Sequence, residues 1–219
     1  MLIHVLLGYY SCMQMRFISS IVFLFLITSY AQAQEDSYVK LGQKALVDGD
    51  FKMAVINLER ALATDSSNVN TLYMLGYSYY HSANYKKGVA TFTRLVSLKP
   101  NESSAYYYRG KARCFMAAET AGLQNTEKEK LLLAAIRDFS KAITINSEDI
   151  KLYQNRAIAY RDYGTIKAQK IPRIYDKVKA IDAFKACIID FQRVLDLNSG
   201  RKDISNQLEN AKEYLENIR

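Results

Sequence analysis

The chain has 219 residues, 49% hydrophobic and 24% charged, with a formal net charge of +8. Nine glycines and two prolines are under half the usual share, which excludes turn-rich β sandwiches, collagen-like chains and disordered linkers and points to helices. Three cysteines and two histidines leave little material for a zinc site or for imidazole catalysis, so no metal and no cofactor is expected.

Arg16 precedes an apolar run over 17–27 that contains two serines, and Ala31-Gln32-Ala33 follows shortly after. A positive flank, a short apolar stretch and a small-x-small site form a secretory signal peptide over residues 1–33, cut after Ala33. The run falls short of the roughly 20 residues that a membrane-spanning helix needs, so no stable membrane span is expected once it is removed. Retention as an N-terminal anchor is the alternative. Met13 or Met15 makes a better start than Met1. The leader is of bacterial style and predicts an exported protein, periplasmic or secreted.

Beyond the leader the chain repeats every 34 residues. Residues 35–68 and 69–102 tile without a gap, placing Leu41-Gly42 over Leu75-Gly76, Ala54 over Gly88 and Ala61 over Leu95. A third unit, 103–149, opens with Tyr106 and Arg109-Gly110, and its second half is delayed by an insertion at 117–130. A fourth, 150–201, opens with Tyr153 and Arg156-Ala157 and is interrupted at 165–182. Each unit reads as two antiparallel helices, with small residues eight and twenty places in letting them approach: Gly42 and Ala54, Gly76 and Gly88, Gly110 and Ala135, Ala157 and Cys187. Residues 203–219 carry one apolar stripe, Ile204, Leu208, Ala211, Leu215 and Ile218, as a helix capping the last unit does.

The order of aromatic, Leu-Gly, aromatic, small residue, aromatic, Ala and Pro100-Asn101 resembles the tetratricopeptide repeat (TPR) family over nearly all of the chain beyond the leader. Leu72 in place of the opening aromatic, Arg113 at an aromatic position and a single closing proline depart from the pattern. The resemblance implies an all-α fold, a right-handed α-solenoid of about four TPR helical hairpins plus a C-terminal capping helix. It also implies a concave face, lined by the first helix of each hairpin, that holds a peptide or helix of a partner protein.

The residues placed on that face are Tyr73, Tyr77, Tyr80, His81, Tyr107, Tyr108, Lys111, Phe115, Gln154, Asn155 and Arg161, with Val39, Gln43 and Ile158 beside them. Tyrosines give large rigid contact area together with a hydroxyl, and Lys111 and Arg161 flank them. The Lys and Asn set with which some family members grip a carboxylate terminus is not complete here: Val39, Gln43, Met74, Ser104 and Tyr108 stand in those places, and one unit later Tyr73, Tyr77, Tyr108, Lys151 and Asn155 do, of which only the last two suit. The insertion at 165–182 carries Lys167, Lys170, Arg173, Lys177 and Lys179 against Asp176 and Asp182, and Pro172 suits the first turn of a helix over Arg173–Leu197. Both insertions are expected to project from one edge, the second as a docking knob for a partner or for an anionic envelope polymer. Cys114 and Cys187 read as buried thiols.

No phosphate loop, nucleophile–base pair or metal cluster is present in the sequence, so no enzyme is expected. The cations are dispersed over every unit, which argues against nucleic acid. The reading is a non-catalytic adaptor in bacterial envelope assembly or secretion. The alternative is a structural scaffold that self-associates or docks through the projecting insertions.

Overall fold

A computed structural model describes residues 37–218. The signal peptide over 1–33, the start at Met13 or Met15 and the final Arg219 lie outside the described residues. Those residues form nine helices and no strand: α1 (37–47), α2 (Phe51–Thr64), α3 (Val69–His81), α4 (Tyr85–Leu98), α5 (Ser103–Glu119), α6 (Asn125–Ile145), α7 (Ile150–Ala168), α8 (Lys177–Leu197) and α9 (Lys202–Ile218). This is an all-α helical-repeat fold. It divides into two compact units, the second beginning at Leu72 inside α3.

The first described unit is the α1–α2 hairpin with the start of α3. Its chain reverses at Gly49, whose φ of 75° belongs to the left-handed region where glycine is at ease. The Asp50 amide closes the turn by donating to the Ala45 carbonyl at 2.8 Å, a helix-ending motif, and the Asp50 carboxylate caps α2 by accepting from the Met53 amide. One repeat later, in the second unit, Ala83 takes the same conformation at φ 58° and Asn84 N–H donates to the Tyr79 carbonyl at 2.8 Å. Asn84 then caps α4 through the Lys87 amide. The periodicity of the sequence is thus a periodicity of turns and caps.

In the second unit each helix from α4 to α9 packs on its chain neighbour, and α5 also meets α7. The glycine eight places into a repeat matters for a reason that differs from the small-against-small spacing expected from sequence. A Cβ on Gly76 would lie 2.9 Å from the Phe92 ring, and one on Gly110 would lie 2.9 Å from the Phe139 ring. Within the first unit Gly42 faces Leu58 in the same way. The partner is therefore the large side chain on the second helix. The small residue twenty places in is less constrained, since a Cβ on Gly88 would find only ordinary contacts at 3.7 Å. Gly76→Ala should destabilise by about 1–3 kcal/mol through overpacking. Gly88→Ala should stabilise by about 0.5–1 kcal/mol through helix propensity. Urea midpoints moving in opposite directions check the pair.

The two insertions become largely helix. Residues 117–119 extend α5, 125–130 begin α6, and only 120–124 form a connection. In the second, α7 runs on to Ala168, but α8 starts at Lys177 and not at Arg173. Arg173 sits at φ 66°, outside helical space; Ile174 turns into the core, and Asp176 accepts from the Lys179 amide to begin the helix.

Helix α9 buries Ile204, Leu208, Ala211 and Leu215 in one cluster with Phe184, Cys187, Phe191 and Val194 of α8. A second cluster joins Ala117, Leu132, Phe139, Tyr163, Ile166 and Ile174. No helix among the described residues is long and apolar enough to cross a membrane.

Candidate functional site

Helices α3 and α5 of the second unit bring the expected tyrosines into one continuous aromatic face. Helical spacing accounts for it, because Tyr73, Tyr77 and His81 recur every four residues, as do Tyr107, Lys111 and Phe115. Tyr108 is the hub. Its ring lies 6.3 Å from Tyr73, 5.1 Å from Tyr77, 5.3 Å from Tyr80 and 5.1 Å from Tyr107, mostly edge to face, and it stacks on Phe92 at 5.9 Å. Edge-to-face and offset-stacked arrangements are those that the ring quadrupoles favour. Tyr77 also meets His81 at 4.2 Å.

Tyr73, Tyr77, Tyr107 and Tyr108 are half-buried, with part of each ring facing solvent. Tyr80 is the exception: at 8% exposure it belongs to the core and serves as a floor. From α4, Tyr85 stacks flat on Phe115 at 5.0 Å, and Phe92 backs Tyr108. Their place on the second helix of the repeat follows from the 34-residue period, but their closing of this face depends on how α4 packs on α5.

The Lys111 ammonium stands over three rings, at 5.4 Å from Tyr80, 5.5 Å from Tyr107 and 6.0 Å from Phe115, a cation–π arrangement. Its charge also opposes the upward shift that burial gives the Tyr107 phenol. Among the described residues no carboxylate pairs with it. Burial pushes the Tyr80 phenol up to about 12, and burial with the neighbouring phenols raises Tyr108 further. Burial and the Lys111 charge lower His81 below its usual value. At neutral pH the face therefore presents phenol hydroxyls around the Lys111 cation, with the Glu119 carboxylate at its edge near Tyr80 and Tyr85.

The α7 members of the expected set do not join this cluster. Gln154 accepts from Arg201 at 3.2 Å and Asn155 donates to its own helix at the Lys151 carbonyl. Arg161, expected as a second flanking cation, forks onto Asp162 at 2.8 Å and reaches Gln207 of α9. Its charge is neutralised by the next residue in the chain. Val39 and Gln43 belong to the first unit.

Of the expected docking cations, Lys170, Arg173, Lys177 and Lys179 are exposed, whereas Lys167 is not. Its side chain is buried, 2.7 Å from Glu129 of α6, and also donates to the Ile174 carbonyl. A lone ammonium in that setting would be costly, and the carboxylate offsets it. Lys167 is a brace for the connection between α7 and α8, not part of an outward-facing cationic surface.

Cys187 is a buried free thiol, as expected, whereas Cys114 is only partly buried; burial pushes both up to about 12, which leaves them protonated at neutral pH. Among the described residues no group of three or more His, Cys, Asp or Glu side chains could hold a metal ion.

The tetratricopeptide-repeat profile matches residues 69–102, the unit that carries Tyr73, Tyr77, Tyr80 and His81. No curated protein matches the chain significantly. Among solved structures, the chain is similar to MamA protein at 22% identity, over 84% of this chain and 92% of that one, with a TM-score of 0.54. It is similar to YrrB, titled a TPR protein with an unusual peptide-binding site, at 18% identity over 82% and 77% with a TM-score of 0.57. TTC0263, a thermophilic TPR protein of Thermus thermophilus, gives 16% identity over 81% and 98% with a TM-score of 0.51. At these identities the likeness is one of fold. One unit, 69–102, therefore carries the tetratricopeptide-repeat pattern, and the chain shares the all-α helical-repeat fold of these structures.

Proposed function

We propose that the protein is a non-catalytic adaptor that takes an extended peptide or a helix of a partner protein on the aromatic face of α3 and α5. The observation that carries this reading is Lys111, held over three rings without a carboxylate and beside four half-exposed tyrosines. Rigid rings supply contact area at low entropic cost, neutral phenols supply hydrogen bonds to a peptide backbone, and the cation supplies one fixed point for an acidic group. The peptide-binding site named for YrrB, a protein of the same fold, supports the reading by analogy. The leader at 1–33 supports a place outside the cytoplasm, in bacterial envelope assembly or secretion.

The test starts from peptides selected on the protein from a random library. Substituting Tyr73, Tyr77 and Tyr107 together by alanine should weaken the selected peptides at least about 30-fold, as the loss of buried aromatic anchors does. Ile189→Ala, on the exposed side of α8, should leave binding intact. Unchanged affinity of every selected peptide for the triple variant would overturn the reading.

A further inference from the structure

We propose that the connection between α7 and α8 is a docking tip for an anionic membrane surface. This inference is independent of the peptide reading, because it uses a different part of the second unit. Residues 169–179 place Ile171 at 45%, Tyr175 at 46% and Val178 at 68% exposure. Lys170, Arg173, Lys177 and Lys179 are exposed beside them, and the only carboxylate in the segment, Asp176, is occupied as the α8 cap and by Lys179 at 3.1 Å.

The tip is built, not slack. Ile174 is buried in the core cluster at 8% exposure, and Lys167 below it bonds both Glu129 and the Ile174 carbonyl. The Asp176 amide donates to the Lys167 carbonyl at 2.9 Å, and the Tyr175 amide donates to the Ile171 carbonyl at 3.0 Å. Asn125 of α6 donates to Gln169 at 2.9 Å. Turning Ile174 inward in this way leaves Ile171 and Tyr175 outward, and the left-handed backbone at Arg173 makes that reversal.

The chemistry selects the occupant. A stable protein interface takes about 20–30 residues a side, far more than this tip offers. A bilayer surface needs only a few apolar side chains to enter the headgroup boundary, an aromatic ring suited to that depth, and cations for anionic lipid. With no membrane-spanning helix among the described residues, the association is peripheral and reversible.

The sequence contains no tryptophan, so Val178→Trp in the full chain gives a single reporter on the tip. Its emission should shift to the blue with vesicles of equimolar phosphatidylcholine and phosphatidylglycerol, and should revert at high salt. It should not move with phosphatidylcholine alone. Ile171→Trp, on the same tip, should behave alike, and Ile189→Trp on α8 should stay unshifted throughout. Because the reporter is local, binding through the apolar leader alone would leave it unmoved. The proposal is overturned by unshifted emission from both tip reporters on the anionic vesicles, or by an equal shift at Ile189→Trp. An equal shift with polyglutamate in place of vesicles would overturn it in favour of an acidic polypeptide.

Discussion

Asp138→Ala should lower the stability of the protein by about 3–5 kcal/mol, the range seen when one partner of a buried ion pair is removed. Asp138 of α6 is almost fully buried, and two guanidinium groups from α5 converge on it. Arg109 donates through Nε at 3.1 Å and through Nη2 at 2.6 Å, and Arg113 donates through Nη1. Arg109 reaches on to the Thr93 hydroxyl of α4 at 3.2 Å, so one carboxylate ties three successive helices. Alanine would leave two desolvated cations facing each other. Burial already lowers the Arg113 pKa, Asp138 opposes that shift, and Arg109 adds to it. The next repeat carries the device in simpler form, with Arg156 gripping Asp190 at 2.7 and 2.8 Å and reaching Ser140 at 3.0 Å. Asp190→Ala, which strands one guanidinium, should therefore cost less than Asp138→Ala. Urea unfolding followed by far-UV circular dichroism measures both, and equal losses would show that the second arginine does not matter. Replacing all members of the network together by apolar residues of similar volume should cost far less than the loss of the carboxylate alone.

What the sequence discloses and what it conceals divide along the distance between interacting residues. The 34-residue period is legible because the first two repeats write the same turn, cap and Leu-Gly step locally. The aromatic face is legible too, since its members sit four apart on α3 and α5. Lys167 reads as an outward cation because Glu129, the carboxylate that allows its burial, lies 38 residues earlier and arrives only when α6 packs on α7. Arg161 misleads for the opposite reason. Asp162 is its immediate neighbour, and adjacent residues on a helix do not ordinarily face one another, yet the long guanidinium folds back onto it. Pro172 suits a first helical turn and so puts the start of α8 at Arg173 on local grounds. Burial of Ile174 overrides that local preference and forces the chain through a left-handed residue first. The partner of the repeat glycine is likewise hidden, since pairing small with small is a plausible spacing argument until the ring of Phe92 or Phe139 is seen across it.

That last contact supports a sharper test than a single substitution. Phe139 is fully buried, its ring lying against the Gly110 position of α5 and 6.2 Å from Tyr107 of the aromatic face. Phe139→Ala should cost about 3–5 kcal/mol through lost transfer energy and a residual cavity. Gly110→Ala in the natural background should also destabilise, by about 1–3 kcal/mol, because its methyl group meets the ring. The same methyl placed in the Phe139→Ala background enters the vacated space, and there the helix propensity of alanine over glycine acts unopposed. Gly110→Ala should thus change sign, with a coupling between the two positions in the range of about 0.5–3 kcal/mol found for residues in contact. Additive effects would show that the glycine serves some purpose other than admitting the ring. Peptide affinity extends the test to the face itself, because Tyr107 leans on Phe139 from the ligand side. Phe139→Ala should loosen Tyr107 and weaken selected peptides even at temperatures where the variant remains folded. Phe191→Ala, buried beside α9 and outside the aromatic face of α3 and α5, should cost comparable stability and leave the affinity of the folded protein unchanged.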